Sequence, residues 1–199
     1  VPRTPPAQES ALSKAFSGKD LEIMTSGVNF LKQCTGKASA NIVYDSRRDP
    51  FTDDGFFNKV KGKENIAVIG FTTQGDVFGG FYSVAVDRYG QSFNDPTIFA
   101  FSFESHGRCE TPQRFAVKEK LKDKARVRFW KNDRNGFIVF WVGGVDGGFC
   151  LGNRQSDSYC WNMAEAFDGL GDKTLSGKMG YISFGPFHHC IGLVAIQLS

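Results

Sequence analysis

A cysteine beside positive charge is the first feature of this sequence that could do chemistry. Cys109 follows Arg108 directly and lies three residues after His106. Positive charge near a cysteine lowers the pKa of its thiol and makes it more reactive. Two interpretations stay open: a redox-active thiol at Cys109, and an unreactive cysteine in a surface loop. Neither the nucleophile pattern G-x-S-x-G nor a cysteine-enzyme signature accompanies it.

Histidines and cysteines also raise the question of a bound metal. His106 and Cys109 form one close pair, and His188, His189 and Cys190 are consecutive. A zinc site needs four converging ligands, and adjacent residues of a strand point to opposite faces, which separates the two neighbouring histidines. The spacing also matches none of the usual zinc patterns. We therefore predict no metal ion and no other cofactor.

The glycine-rich loops and paired carboxylates do not form a catalytic pattern. Residues 142–148 read VGGVDGG and lack the Lys and Ser/Thr of a phosphate-binding loop. Turns and bulges explain these glycines. Carboxylates such as Asp53 and Asp54 fall where aspartate caps helices or forms turns. The sequence therefore predicts a protein without enzymatic activity and without a catalytic residue.

A basic segment could bind a negatively charged ligand. Residues 113–134 hold nine basic and three acidic residues, a local charge of +6, whereas the whole chain carries only +3. Such a stretch with an aromatic residue can bind an anion or stack on nucleic-acid bases. A solvated strand face is the alternative, because no recognised nucleic-acid motif accompanies it. The candidate binding residues are Arg114, Lys118, Lys124, Arg126, Arg128, Trp130, Lys131 and Arg134.

Composition and cysteine usage limit the class of protein. Hydrophobic residues make up 41% and charged residues 23%, which is typical of a globular domain and excludes a disordered chain over most of the length. No apolar run approaches the ~18 residues of a membrane span. Five cysteines without a CxxC pair favour reduced thiols in an intracellular protein, cytoplasmic or nuclear. Residues 1–10, with three prolines, are predicted to be a linker or a remnant of cloning.

The order of the predicted elements indicates the fold class. Apolar residues spaced three and four apart predict one or two helices over residues 11–35, ended by Gly36. Thr52 is predicted to cap a short helix that ends at Val60. Strands dominate afterwards, which favours an α+β fold with antiparallel sheets. The predicted strands are 41–44, 66–71, 77–86, 97–103, 125–130, 137–142 and 193–198.

Two regions between these strands are less regular. Residues 114–124 could form helix, strand or turn, and residues 143–148 are predicted to form a loop. In the strand 125–130, Arg126 and Arg128 are predicted to point outward, opposite to Val127 and Phe129. The expected organisation is a helical segment at 11–37 followed by one domain at 38–199.

The sequence resembles the TLDc domain of oxidation-resistance proteins over residues 39–199. The resemblance rests on V-F-G-G-F at 77–81, then Ser83, then F-A-F-S-F at 99–103. Adjacent glycines in a strand usually mark a bulge or a close approach, so we predict that these motifs are structural, with neighbouring Phe rings covering the glycines. The signature residues are Phe78, Gly79, Gly80, Phe81, Ser83, Phe101, Ser102 and Phe103.

The resemblance implies both a fold and a function. The implied fold is two antiparallel β-sheets packed as a sandwich, with flanking helices. The implied function is a non-enzymatic interaction module of an oxidative-stress-response protein, since several members of the family bind the vacuolar proton ATPase. The alternatives are a nucleic-acid-binding stress regulator that uses residues 114–134, and a thiol-based peroxide sensor or scavenger at Cys109.

Overall fold

The computed structural model describes residues 6–131, 137–152, 158–177 and 190–199. Arg134, His188 and His189, which the sequence motifs highlighted, lie outside the described residues. In chain order the elements are α1 (Pro6–Ala15), α2 (Gly18–Thr35), β1 (Ala40–Asp45), α3 (Asp53–Val60), β2 (Ile66–Thr72), β3 (Val77–Tyr82), β4 (Ser92–Asn94), β5 (Phe99–Glu104), β6 (Gln113–Ala116), a 3-10 helix (Glu119–Lys124), β7 (Ala125–Phe129), β8 (Ile138–Val142), β9 (Gly147–Leu151), β10 (Cys160–Trp161), α4 (Met163–Ala166) and β11 (Cys190–Leu198).

The strands form two antiparallel sheets. The six-stranded sheet has the order β1-β11-β2-β3-β5-β6, and the five-stranded sheet has the order β10-β9-β8-β7-β4. Strands that follow one another in sequence are paired at β2-β3, β5-β6, β7-β8, β8-β9 and β9-β10. The predicted α+β class with two packed antiparallel sheets is confirmed.

Phenylalanine side chains fill the space between the two sheets. Phe78 of the six-stranded sheet meets Phe149 of the five-stranded sheet edge to face, with ring centroids 6.2 Å apart. Phe140 stacks on Phe149 at 4.9 Å. These residues belong to one large buried cluster that both sheets share. Aromatic pairs of this kind add packing energy to the burial of their surface, and they hold the sheets face to face.

The helices α1 and α2 cover the outward face of the six-stranded sheet. Met24 and Leu31 of α2 are buried in one cluster with Phe101 and Phe103 of β5. A Cβ atom on Gly27 of α2 would overlap the Phe103 ring, so the glycine lets the helix approach the strand. Across the described ranges, no helix has the length and apolar character that spanning a membrane requires.

The local signals in the sequence placed most elements correctly. Gly36 ends α2 in a left-handed conformation with φ 68°. The Thr52 hydroxyl accepts a hydrogen bond from the backbone N–H of Gly55 at 3.1 Å and caps α3. Phe99 and Phe101 lie together on one face of β5, as alternation predicted. These predictions are confirmed because they depend on local backbone chemistry and strand periodicity.

The structure corrects several predicted boundaries. The helical segment begins at Pro6 and not at residue 11. The strand β3 ends at Tyr82 and not at residue 86, because the Ser83 N–H donates to the Asp95 carboxylate. Residues 147 and 148 belong to β9 and not to a loop, since they pair with β8. The undecided segment 114–124 forms the end of β6 and a 3-10 helix.

Candidate functional site

The outward face of the five-stranded sheet brings together side chains from several strands. Arg126 lies opposite Trp141 in the β7–β8 register, and Arg128 lies opposite Val139, which in turn lies opposite Cys150 of β9. Alternate residues of a strand share one face, so these rows form a continuous surface. We call it the aromatic–arginine face. Its members are Ser92, Arg126, Arg128, Trp130, Val139, Trp141, Gly148, Cys150, Tyr159 and Trp161.

All three tryptophans of the sequence lie on the aromatic–arginine face. Trp130, Trp141 and Trp161 are each half-buried and pack around Val139 and Tyr159. A tryptophan combines a large apolar ring with one polar N–H group, which suits a partly exposed position. The sequence motifs identified only Trp130. Every residue of β8 is apolar, so the sequence pattern gave no signal for the outward position of Trp141.

A glycine on the aromatic–arginine face makes room for one of these rings. A Cβ atom on Gly148 would overlap the backbone carbonyl oxygen of Phe140 and would lie 2.9 Å from Cε3 of Trp141. The indole therefore extends over the neighbouring strand β9, in space that any larger residue would fill. This close approach explains why a glycine occupies an interior position of a paired strand.

Arg128 is held firmly within the aromatic–arginine face. Its Nε donates a hydrogen bond to the carbonyl oxygen of Gly90 at 2.8 Å, and its Nη2 donates to the same oxygen. Its guanidinium carbon lies 4.1 Å from the centroid of the Trp130 ring, a favourable cation–π arrangement. The Trp130 indole N–H is buried and has no acceptor among the described residues. Packing and the arginine therefore hold this ring in place.

Arg126 differs from Arg128 in its exposure and its partners. It is exposed, and its side chain makes no hydrogen bond or ion pair with any described residue. A cleft of about 150 Å³ opens beside it. None of the described side chains that line the cleft is acidic, so two positive charges stand beside an apolar depression. The lining consists of Ser92, Arg126, Arg128, Trp130, Val139, Trp141 and Tyr159.

Other described members of the basic segment have contacts away from the cleft. The guanidinium of Arg114 lies 4.5 Å from the centroid of Phe99, on the outward face of the six-stranded sheet. Lys131 approaches a carboxylate, with its Nζ 3.2 Å from Oδ1 of Asp54. The outward faces of a sandwich point in opposite directions, so the segment does not form one continuous surface. Lys118 and Lys124 lie at the start and the end of the 3-10 helix.

Cys109 lies near basic residues in sequence, but these residues bind a buried carboxylate. Arg108 donates from Nη2 to Oδ1 of Asp76 at 2.5 Å, and Nδ1 of His106 lies 2.8 Å from the same oxygen. Asp76 is only 1% exposed. The half-buried Cys109 thiol lies 3.3 Å from the hydroxyl of Ser105. The Arg108 guanidinium, which was expected to activate the thiol, therefore binds Asp76 instead.

Other cysteines lie in the interior. Cys160 and Cys190 are fully buried between the sheets, and burial raises the pKa of their thiols to about 12 and about 11. Burial also raises the pKa of Cys34. A raised thiol pKa lowers the fraction of reactive thiolate at neutral pH. In the part of the chain that the structure describes, no three His, Cys, Asp or Glu side chains converge as metal ligands do.

The paired glycines of the signature allow aromatic rings to approach β3 from both sides. A Cβ atom on Gly80 would lie 2.7 Å from the Phe140 ring. One on Gly79 would overlap the backbone carbonyl oxygen of Val68 and would lie 2.9 Å from the Phe101 ring. The first ring comes from the shared core and the second from the outward face of the same sheet. Phe78 and Phe81, which flank the glycines, are buried in these two clusters.

The signature serine Ser83 binds a buried carboxylate. Its N–H donates to Oδ2 of Asp95 at 2.5 Å and its hydroxyl donates to Oδ1 at 3.1 Å. Thr97 adds a hydrogen bond from its own N–H at 2.9 Å. This network fixes the chain as it leaves β3 and enters β5, and the sequence motifs did not include Asp95. Ser102 is buried within β5 beside Phe103.

One comparison with known proteins identifies a family. A family model described as the TLDc domain matches residues 19–167, which is more than half of the chain. The match begins within α2 and ends after α4, whereas the sequence motifs indicated residues 39–199. No curated protein matches the chain.

Proposed function

The chain belongs to the TLDc domain family, a family associated with oxidative stress, and from this premise we propose that it is a non-enzymatic interaction module. In this proposal the aromatic–arginine face binds a protein partner. The vacuolar proton ATPase, which the family resemblance implies, is the first partner to test.

The single observation that carries this proposal is the composition of the aromatic–arginine face. Three tryptophans and two arginines lie together on it, and the centre of the cluster is apolar. Tryptophan, tyrosine and arginine are the residues enriched at protein–protein interfaces and among the residues that dominate binding energy. No described helix covers this face, whereas α1 and α2 cover the corresponding face of the other sheet.

The surroundings of several cysteine, histidine and carboxylate side chains favour docking over chemistry. Burial raises the pKa of Cys160 and Cys190, which works against thiol reactivity. Arg108 and His106 bind Asp76. The carboxylates of Asp95 and Asp54 accept local hydrogen bonds. These carboxylates and their hydrogen-bond donors therefore have structural roles in the fold.

The test compares capture of cellular partners by three forms of the full chain. The forms are the unchanged protein, Arg126→Glu and Arg114→Glu. Both substitutions reverse one exposed arginine, but on opposite outward faces. A partner supports the proposal when Arg126→Glu lowers its recovery at least about tenfold, as loss of a buried charge-assisted contact does, and Arg114→Glu does not. Equal recovery by all three forms would contradict it.

Nucleic-acid binding is a second candidate, because one observation favours it. Arg128 stacks on Trp130, and Trp141 lies close by on the same face. Single-stranded nucleic acids bind to such combinations of aromatic rings and positive charge. In this case two arginines would contact two phosphates and release the counterions of both. A plot of the logarithm of the association constant against the logarithm of the salt concentration should therefore have a slope of about −1.4. Binding of oligothymidylate that Arg126→Glu leaves unchanged would exclude this use of the face.

A further inference from the structure

We propose that the cleft between Trp130 and Trp141 is an anchor pocket that takes one aromatic side chain from an acidic segment of a partner protein. This inference rests on the proposed function and specifies the ligand of the aromatic–arginine face. The cleft provides the pocket for the ring, and Arg126 and Arg128 provide the charges for neighbouring carboxylates.

The size and lining of the cleft fit one planar apolar group. Its volume is about 150 Å³, and an apolar cavity of about this volume can hold a benzene molecule. Val139 and Tyr159, both buried, form its floor, while Trp130 and Trp141 contribute their rings. Aromatic rings pack favourably against other rings in stacked or edge-on arrangements. A phenylalanine, tyrosine or tryptophan side chain therefore fits this lining.

The charges at the rim of the cleft favour a negatively charged ligand. Arg126 is exposed and, in the ranges that the structure describes, carries no ion pair. Arg128 is fixed by Gly90 and Trp130, so its charge stays beside the cleft. An arginine fork matches the two oxygens of a carboxylate and can bind both of them at once. An aspartate or glutamate next to the anchoring ring would complete the contact.

The distribution of charge favours a protein segment over a nucleic-acid strand. A strand that tracks along a protein contacts a series of phosphates, each needing a cation. Only two arginines stand at this cleft among the described side chains. Arg114 lies on the opposite outward face, and Lys131 pairs with Asp54. One pocket and two charges match a short peptide motif.

Tryptophan fluorescence can measure binding directly, because all three tryptophans lie on this face. The probe is the capped peptide Glu-Asp-Phe-Asp-Glu, titrated into the full chain. We expect a saturable change in tryptophan emission. Two matched peptides, Glu-Asp-Ala-Asp-Glu and Gln-Asn-Phe-Asn-Gln, remove the ring or the charges, and each should bind at least about tenfold more weakly.

Two variants locate the binding site. Arg126→Glu should weaken binding of the acidic phenylalanine peptide at least about tenfold, while the matched variant Arg114→Glu should leave it within about twofold. Both arginines are exposed, and unchanged thermal unfolding would show that both variants fold. If both variants weaken binding equally, the overall positive charge of the protein attracts the peptide, and the inference is wrong.

The remaining outcomes separate this inference from the proposed function. If oligothymidylate binds more tightly than the peptide and with the same dependence on Arg126, the occupant is a nucleic acid and the inference is wrong. If the peptides do not bind but capture of a cellular partner still depends on Arg126, the inference is wrong and the proposed function stands. If neither the peptide nor a partner depends on Arg126, both are wrong.

Discussion

The two outward faces of the sandwich differ in what lies on them. The face of the six-stranded sheet carries Phe81, Phe99, Phe101 and Phe103, and the helices α1 and α2 bury it. The aromatic–arginine face of the five-stranded sheet carries tryptophan, tyrosine and arginine, and no described helix lies over it. Both faces are aromatic, but only the first contributes to a second large buried core.

The difference in aromatic type matches the difference in environment. Phenylalanine has no polar atom, so a ring such as Phe101 can be buried completely without needing a hydrogen-bond partner. Arginine keeps its charged head in water or against a partner while its stem packs, and tryptophan adds a large ring surface for contact. The outward face of the six-stranded sheet therefore stabilises the fold, while the aromatic–arginine face is suited to binding.

The largest loss of stability should follow from removing a phenylalanine ring that lies under α1 and α2. Phe101→Ala deletes a fully buried side chain that stacks on Phe103 at 4.7 Å and packs against Gly79. We expect the free energy of unfolding to fall by about 3–5 kcal/mol, because both the buried ring and its contacts are lost. Urea denaturation followed by circular dichroism measures this loss. A change below about 1 kcal/mol would show that α2 and this face are not one packed unit.

A smaller loss of stability should follow from a substitution that pushes α2 away from the sheet. In Gly27→Ala, the added methyl would overlap the Phe103 ring, and such overpacking costs about 1–3 kcal/mol. Alanine also gains up to about 1 kcal/mol of helix propensity over glycine, so we expect a net loss of up to about 2 kcal/mol. Ser26→Ala, at an exposed position of the same helix, is the matched control and should change stability little. A stabilised Gly27→Ala protein would contradict the close contact.

The corresponding change on the aromatic–arginine face should affect binding more than folding. Trp141→Leu shortens a half-buried side chain that borders the cleft. We expect stability to fall by only about 1 kcal/mol, since the site is partly exposed, while capture of the Arg126-dependent partner is lost. Denaturation and affinity capture on the same preparation measure both quantities. A loss of several kcal/mol without loss of binding would mean that this face, too, serves the fold.

Sequence patterns predicted one strand of the aromatic–arginine face but not the face itself. Alternation in β7 correctly turned Arg126 and Arg128 outward and Val127 inward. The partner strand β8 is apolar at every position, so its pattern hid the outward direction of Trp141. Only the register of β7 with β8 brings that ring beside Arg126. Register between strands depends on long-range packing, which a single sequence does not display.

The basic segment is a case in which residues that are close in sequence are separated in the fold. Residues 113–134 look continuous because their charges follow one another along the chain. The 3-10 helix over Glu119–Lys124 carries the chain from β6 in one sheet to β7 in the other. Arg114 and Arg126 therefore end on opposite outward faces. Charge counted along a sequence does not measure charge gathered on a surface.

The smallest expected effect concerns an ion pair that ties α2 to the covered sheet. Nζ of Lys19 lies 3.3 Å from Oε2 of Glu104. The backbone N–H of His106 donates to Glu104 at 2.9 Å, and this hydrogen bond, helped by Lys19, lowers the pKa of the Glu104 carboxyl below its ordinary value of 4.5. Glu104→Gln should cost only a few tenths of a kcal/mol at pH 7, because the pair is near the surface.

The pH dependence of Glu104→Gln distinguishes this ion pair from simple packing. Since the pKa of Glu104 is lower in the folded than in the unfolded chain, its ionised form stabilises the fold above the ordinary pKa of 4.5. That stabilisation is lost as the pH falls through the lower folded pKa. The stability difference between the unchanged protein and Glu104→Gln should therefore shrink between pH 5 and pH 3, about the range in which this group titrates. Glu22→Gln, at an exposed position of α2, is the control and should show no such change with pH. If the stability difference between the unchanged protein and Glu104→Gln grows on acidification, the proposed role of the Glu104 charge is wrong.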